Sequence, residues 1–169
     1  EQLINAVTVS RENYQKSLSI NPKDPATYSN IGTIYSEQFK DFNTAIQYYQ
    51  KALEVDPNFV LELINIGDAY ANRKNYQSAI EVLERAARLE PDEPFIYSNL
   101  AECYYRLGDY RNSIKNCKKT LKLDNNDEYV YHFLADVYFK IDDFGEALDN
   151  YRRVIFFNPN NASAHYYTG

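Results

Sequence analysis

Apolar side chains along this chain fall at helical spacing, in blocks separated by short polar turns. The apolar residues of one block lie three, one and three positions apart: Leu63, Ile66, Gly67 and Tyr70. This spacing is one face of a helix with about 3.6 residues per turn. A second apolar block follows at residues 79–89. The pattern predicts pairs of amphipathic helices and an all-α fold.

The pair of blocks recurs every 34 or 35 residues along the chain. The copies of its opening phrase begin at Tyr28, Leu63, Tyr97, Tyr131 and His165. A period of this length is typical of repeat proteins, in which each unit buries its apolar face only against its neighbours. We therefore predict one array of nine or ten antiparallel helices. It comprises a partial repeat at residues 1–24, full repeats at 25–59, 60–93, 94–127 and 128–161, and the start of a further repeat at 162–169.

Turn and capping residues support these boundaries. Pro25 and Pro94 suit the first turn of a helix, where a missing N–H has no effect. Three polar residues precede the second helices as N-caps: Asn75, Asp109 and Asp143. Glu146 stands three residues after the last of them, which is a capping-box spacing. The repeat that begins at Pro25 carries one extra residue, which we place at residues 38–41 because a loop absorbs an insertion with little loss of stability.

The unit resembles the tetratricopeptide repeat, whose 34-residue pattern is an aromatic residue, then Leu-Gly, Tyr, Ala, Phe and Pro. The third full repeat matches that pattern at Tyr97, Leu100, Tyr104, Tyr110, Ser113 and Thr120. The departures are Leu63 and His165 in the first aromatic slot, Ala101 and Ala135 in place of Gly, Cys117 in the second-helix aromatic slot and Asn125 in place of Pro. We expect the packing to survive them, because each substitute is apolar or small or belongs to a turn. The resemblance implies an α-solenoid of antiparallel helix pairs, wound into a right-handed superhelix whose concave groove binds peptides or protein segments.

Composition agrees with an ordered helical array. The chain has 169 residues, a net charge of −6, 44% apolar residues and 5 glycines, so it is neither disordered nor collagenous. No apolar run approaches the roughly 20 residues that span a bilayer, and no signal-peptide pattern is seen. The chain begins at Glu1, contains no Met and opens part-way through a repeat. We therefore expect it to be a fragment of a longer protein.

Catalytic and metal-binding motifs are lacking in the sequence. It has no phosphate-binding glycine loop, no paired-histidine motif and no close cysteine pair. Cys103 and Cys117 are expected to be buried reduced thiols, which favours a reducing compartment such as the cytoplasm. His165 is expected in a core aromatic slot, and His132 on the groove side without a catalytic partner. We predict no enzyme activity, no metal site and no cofactor.

Three groups of residues are predicted to face the groove as ligand contacts. The first is a row of asparagines, one per repeat: Asn30, Asn65 and Asn99. An amide offers both a donor and an acceptor, so such a row can pair with a peptide backbone of any sequence. It resembles the asparagine ladder in the repeat region of O-linked N-acetylglucosamine transferases. Solvated asparagines in an Asn-rich chain are the alternative.

The second group is an acidic column and the third is aromatic. The column consists of Asp68, Glu102 and Asp136. Co-chaperone members of the family bind an acidic C-terminus at this surface, which an acidic column disfavours. We therefore expect a ligand with basic or amide groups instead. A solvated acidic face is the alternative. The third group is predicted in the C-terminal half of the groove, together with His132: Phe95, Tyr105, Tyr129, Phe133 and Phe139. Clustered exposed aromatics mark binding sites, although some of them can instead pack on neighbouring helices.

The sequence thus predicts a non-catalytic scaffold that binds a peptide or protein segment in its concave groove. Two alternatives stay open at this point. One is the substrate-recruiting region of a longer glycosyltransferase, and the other is a module that self-associates through its open ends. Nucleic-acid binding is not expected, because the overall charge is negative and no aromatics interleave with the basic residues of the helix around Lys115 and Lys119.

Overall fold

The computed structural model describes residues 13–14 and 16–169 of the chain. Within these residues the structure is α-helical and contains no strand, which confirms the predicted fold class. The helices whose bounds are defined are α1 (Pro25–Glu37), α2 (Phe42–Val55), α3 (Val60–Asn72), α4 (Tyr76–Leu89), α5 (Pro94–Arg106), α6 (Tyr110–Leu123), α7 (Glu128–Lys140), α8 (Phe144–Phe157) and α9 (Ala162–Thr168). None of the described helices is long and apolar enough to cross a membrane.

The helices form two compact units, and the first ends at Leu89. In this first unit α1 packs on α2, α2 on α3, and α3 on α4. Its core brings together side chains of the second helix α2 and the first helix α3: Ala45, Ile46, Tyr49, Ile66 and Ala69. A helix pair therefore completes its core with the first helix of the next repeat, as expected for a repeat whose apolar face is covered by its neighbour.

The second unit begins at Glu90 and follows the same order of packing. Here α5 packs on α6, α6 on α7, α7 on α8, and α8 on α9. Its core reaches the last helix: Ala101, Cys117, Val130, Leu134, Ala135, Tyr138, Ala147, Tyr151, Val154 and Ala164. Cys103 and Cys117 are both buried and form no disulfide, as predicted.

Helix starts coincide with the predicted capping residues. The Asp109 side chain accepts a hydrogen bond from Asn112 N at 3.0 Å, and the Asp143 side chain accepts one from Glu146 N at 3.3 Å. Pro25 and Pro94 occupy the first turns of α1 and α5. Each cap satisfies a backbone N–H that has no partner within the helix, so it fixes where the helix begins.

The turns inside the repeats differ in length by one residue. Residues 38–41 join α1 to α2, whereas three residues join the helices of the next repeat, so the extra residue lies where the sequence predicts it. The residue before the N-cap of each second helix adopts the left-handed conformation: φ is 53° at Lys40, 60° at Lys74, 79° at Gly108 and 62° at Asp142. Left-handed backbone at this point lets the chain reverse direction between antiparallel helices.

The small residue of the first helix allows a close approach of the second helix. A Cβ added at Gly32 would lie 2.6 Å from Cε1 of Tyr49, and one added at Gly67 would lie 2.7 Å from Cγ of Leu83. Such distances are well inside van der Waals contact. A side chain added at either position would therefore force the facing side chain to shift.

In two repeats the tyrosine of the first aromatic slot contacts a backbone carbonyl six residues earlier. The Tyr28 hydroxyl donates to the Pro22 carbonyl at 2.9 Å, and the Tyr97 hydroxyl donates to the Pro91 carbonyl at 2.8 Å. In the repeat that has Leu63 in this slot, the guanidinium of Arg85 donates to the Pro57 carbonyl instead. Leu63 therefore leaves a carbonyl without its ring partner, and a different side chain takes it up.

The ring of His165 is exposed, although the repeat pattern predicts a core position for it. Its Nε2 lies 2.8 Å from the Pro159 carbonyl, so it keeps the contact that the tyrosines make in this slot.

Tyrosines in core slots are also buried to different degrees. Tyr49, Tyr138 and Tyr151 are buried, whereas Tyr28, Tyr97 and the other described ones are half-buried. The reason is that a slot filled by a long side chain leaves the polar end of that side chain at the surface.

Candidate functional site

An aromatic cluster lies on the neighbouring first helices α5 and α7 of the second unit. It consists of Tyr105, Tyr129 and Phe133. The Phe133 ring meets Tyr105 edge-on at 5.4 Å and stacks with Tyr129 at 6.4 Å. Tyr129 is 66% exposed, and Phe95 on α5 is 57% exposed. Phe133 itself is half-buried and packs partly on the core, so the predicted aromatic group contains both a partly buried ring and accessible rings.

A second group of rings, the terminal cluster, involves α7, α8 and α9. Phe139 lies 5.1 Å from Tyr167 and meets Phe144 edge-on at 5.4 Å. Tyr167 also stacks on Tyr151 at 4.8 Å. Phe139 and Tyr167 therefore contact one another while remaining 42% and 40% exposed.

Asp136 of the acidic column is tied into this terminal cluster. Its Oδ1 accepts a hydrogen bond from the Tyr151 hydroxyl at 2.6 Å, and its Oδ2 lies 3.3 Å from Nδ1 of His132. Burial raises the pKa of Tyr151, and the hydrogen bond to Asp136 and the negative charge of that carboxylate raise it further. The His132 ring contacts Tyr151 edge-on at 5.7 Å. Asp136 and His132 are thus part of a hydrogen-bonded network.

The other two acidic residues of the column lie in different surroundings. Glu102 pairs with Arg106 one helical turn later, with Oε1 3.2 Å from Nη2. Glu102 also contributes to the raised pKa of Tyr129, after the larger effect of burial. Asp68 is exposed on α3 in the first unit. A carboxylate therefore lies close to the aromatic cluster, where it can add charge to the recognition of a ligand.

The asparagines of the predicted row present their amides unequally. Asn30 is exposed, whereas Asn65 and Asn99 are half-buried. The Asn65 Nδ2 donates to Glu62 Oε2 at 3.3 Å, and the Asn99 Nδ2 is buried without a hydrogen-bond partner. Two of the three amides therefore point their donor inward. Contact between this row and a peptide backbone remains a prediction.

Sequence reasoning overlooked Glu62, which is fully buried on α3. The residues at the same position of the other repeats are small or apolar: Thr27, Ile96, Val130 and Ala164. Burial raises the pKa of Glu62, and hydrogen bonding by Ser29 and Asn65 lowers it in part. Its Oε1 has no hydrogen-bond partner. Aligning the repeats and comparing this column would have identified a carboxylic acid in an otherwise apolar slot.

The described residues contain no group of three or more His, Cys, Asp and Glu side chains that could hold a metal ion.

The basic residues of α6 are partly used within the protein. Lys119 lies 5.2 Å above the Tyr97 ring and 3.9 Å from Asp92, and Lys118 lies 5.6 Å above the Tyr138 ring. Lys118 and Lys119 are therefore partly engaged by other side chains of the same unit.

Family models and solved structures agree with this architecture. Two tetratricopeptide repeat models match residues 25–59 and 48–81. A model described as anaphase-promoting complex, cyclosome, subunit 3 matches residues 72–154. No curated protein sequence matches the chain significantly.

Three solved structures illustrate the similarity of fold. YrrB, described as a TPR protein with an unusual peptide-binding site, is 22% identical, with a TM-score of 0.79 over 94% of this chain and 81% of that chain. MamA is 20% identical, with a TM-score of 0.85 over 96% of this chain and 94% of that chain. The first TPR of Spaghetti (RPAP3), bound to the HSP90 peptide SRMEEVD, is 25% identical, with a TM-score of 0.61 over 64% of this chain and 86% of that chain.

Proposed function

We propose that this chain, which belongs to the tetratricopeptide repeat family, is a non-catalytic scaffold that binds a segment of a partner protein on its first helices. Two of the structures with this fold are described as peptide-binding or peptide-bound, which supports a role in protein interaction. The observation that carries the proposal is the aromatic cluster. Its rings bridge α5 and α7 and leave Tyr129 two-thirds exposed. Clustered exposed aromatics beside a half-buried ring are typical of an interaction hot spot.

The charge around the cluster indicates what kind of segment would bind. Glu102 lies near Tyr129, and Asp136 lies on the same helix as Phe133. An aromatic ring beside a carboxylate suits a cationic side chain, because the ring face and the carboxylate both attract it. The segment we propose therefore carries apolar or aromatic residues together with Lys or Arg. An acidic C-terminal segment such as the SRMEEVD peptide bound by RPAP3 would meet repulsion from these carboxylates.

The test is to select ligands without assuming a sequence. Peptides of about 12 residues, long enough to cross several helices when extended, would be selected from a displayed random library and resynthesised for calorimetric titration. Tyr129→Ala should raise the Kd of a selected peptide by a factor of about 10 to 30, the effect expected at a hot spot. Phe156→Ala is the matched control, because Phe156 is 73% exposed on the second helix α8 and lies outside the proposed surface. An unchanged Kd in Tyr129→Ala, with the loss appearing in the control, would place binding elsewhere.

A further inference from the structure

A basic residue covers the first aromatic slot from the second helix of its own repeat. In the first unit the Lys51 Nζ lies 5.9 Å from the centre of the Tyr28 ring, and in the second unit the Lys119 Nζ lies 5.2 Å from that of Tyr97. Arg85 occupies the equivalent position of α4. Because Leu63 provides no ring below it, Arg85 extends instead to the Pro57 carbonyl. The second repeat thus satisfies this carbonyl without having an aromatic side chain in the slot.

A surface pocket of about 450 Å³ adjoins Leu63, and it is formed by α2, α3 and α4 of the first unit. Its apolar lining consists of Leu53, Leu63, Ile66, Tyr70 and Val82. Pockets that bind small molecules typically begin at about 300 Å³, so this one is large enough for an aromatic side chain. A ring at position 63 would extend beyond the leucine methyl groups, towards the space that the pocket provides.

The polar side chains around this pocket carry a net negative charge. Glu54 on α2 and Glu81 on α4 contribute two carboxylates, while Arg85 contributes one cation that is directed to the Pro57 carbonyl. Gln50 is the other polar residue of the lining. Two carboxylates beside an apolar floor favour a ligand in which a basic group flanks an apolar one.

We propose that this pocket binds an aromatic side chain of a partner protein, flanked in the partner's sequence by Lys or Arg. The protein itself indicates the occupant, because Tyr28 and Tyr97 show that the equivalent position of two other repeats carries an aromatic ring. The site is additional to the aromatic cluster, since it belongs to the first unit and uses the second helices α2 and α4. A partner segment would supply from outside the ring that the second repeat lacks.

The probe is the acetylated and amidated tripeptide Lys-Tyr-Lys, followed by the methyl NMR signals of Leu53, Leu63, Ile66 and Val82. We expect saturable shifts confined to these methyl groups. The tripeptide Glu-Tyr-Glu should bind at least about tenfold more weakly, and Lys-Ala-Lys should cause no saturable shift. Leu63→Tyr should abolish binding because the protein's own ring then fills the pocket. Leu61→Tyr introduces the same ring on the same helix at an exposed position, and it should bind like the wild type.

Each contrary result has a defined meaning. Wild-type affinity in Leu63→Tyr would overturn the assignment, and so would equal affinity for Lys-Ala-Lys. Should Leu63→Tyr fail to fold, Val82→Phe blocks the pocket from the opposite wall and decides the question in its place. Equally tight binding of free p-cresol would show a site for small aromatic molecules and overturn the assignment to a partner protein. None of these results would change the effect of Tyr129→Ala on peptides selected for the aromatic cluster. The two proposals can therefore fail separately.

Discussion

The amide of Asn65 donates to the buried carboxylate of Glu62, with Nδ2 3.3 Å from Oε2. The other oxygen of that carboxylate, Oε1, has no hydrogen-bond partner. A carboxylate in this position is unfavourable when charged, because burial removes its water and the hydrogen bonding by Ser29 and Asn65 replaces only part of that hydration. The pair therefore couples the stability of the first unit to pH.

Glu62→Ile should increase stability near neutral pH. Ile96 shows that the same position of another repeat accommodates isoleucine in a fully buried state. The pKa of Glu62 in the folded protein is raised above its ordinary value of 4.5, so this group favours folding below that pH and opposes it increasingly as the pH rises through the folded pKa. The expected gain near neutral pH is about 1–3 kcal/mol, the penalty of an unsatisfied buried polar group. Urea unfolding at several pH values would measure it.

The difference between wild type and Glu62→Ile isolates this group, because all other carboxylates titrate alike in both. That difference should shrink as the pH falls towards 4.5. A difference that stays constant with pH would mean that Glu62 is protonated throughout or reaches water.

Asn65→Ala and Asn99→Ala should affect stability differently, although both remove a half-buried asparagine from a first helix. Asn65→Ala takes away the donor to Glu62 and should destabilise the protein by about 1 kcal/mol near neutral pH. Asn99→Ala removes an Nδ2 that has no partner, so its effect should be close to zero or stabilising. Chemical denaturation of both variants provides the comparison. Equal losses would contradict this account of the two amides.

The thiol of Cys117 should be unreactive in the folded protein. Burial raises its pKa to about 12, so almost no thiolate is present near neutral pH. Ellman's reagent should therefore modify neither Cys117 nor the equally buried Cys103 until the protein is unfolded in urea. Rapid modification of Cys117 under native conditions would show that the core of the second unit opens readily.

Gly67→Ala should destabilise the first unit by about 1–3 kcal/mol, as expected for overpacking. The added methyl group would lie 2.7 Å from Leu83 Cγ. In the third full repeat the corresponding residues are Ala101 and Cys117, so a smaller facing residue accompanies the methyl group there. The loss should therefore nearly vanish in a Leu83→Cys background. A double-mutant cycle would measure this coupling, and an undiminished loss in that background would disprove it.

Exposed rings on the last two described helices should promote self-association. Tyr166 on α9 is 81% exposed, and Phe156 on α8 is almost as accessible. The sequence places a similar apolar face near Val7, which lies outside the described residues. We expect the sedimentation coefficient to rise with concentration in the wild type and to do so less in Tyr166→Ser. A strictly monomeric wild type at high concentration would refute this expectation.

The fold could be predicted because its determinants are local and recur. Apolar spacing, the caps at Asp109 and Asp143 and the first-turn Pro25 act within a few residues, and repetition averages out single departures. The extra residue at 38–41 was located for the same reason. The aromatic group was also visible in the sequence, since its rings fall between core positions of the repeat.

The remaining features depend on which side chains meet across helices, and the period does not encode this. The contact of Arg85 with the Pro57 carbonyl follows from the absence of a ring at Leu63, and it joins residues 28 positions apart. Asp136 looked like part of a free acidic column, but the Tyr151 hydroxyl from the next helix holds it. In both cases a polar group takes the nearest partner in space, which a repeat pattern drawn along one helix does not reveal.

The turns within the repeats offer a way to strengthen this protein for crystallography. Lys40, Lys74 and Asp142 adopt left-handed backbone conformations that Gly108 adopts at the equivalent point of another repeat. A residue with a side chain loses about 1 kcal/mol of stability in this conformation. Replacement by glycine recovers part of that loss, and the greater freedom that glycine gives the unfolded chain offsets some of the gain. Lys74→Gly lies outside the aromatic cluster and is not among the residues that line the pocket. A thermostabilised variant for co-crystallisation can thus be engineered at the turns while both proposed binding sites keep their native residues.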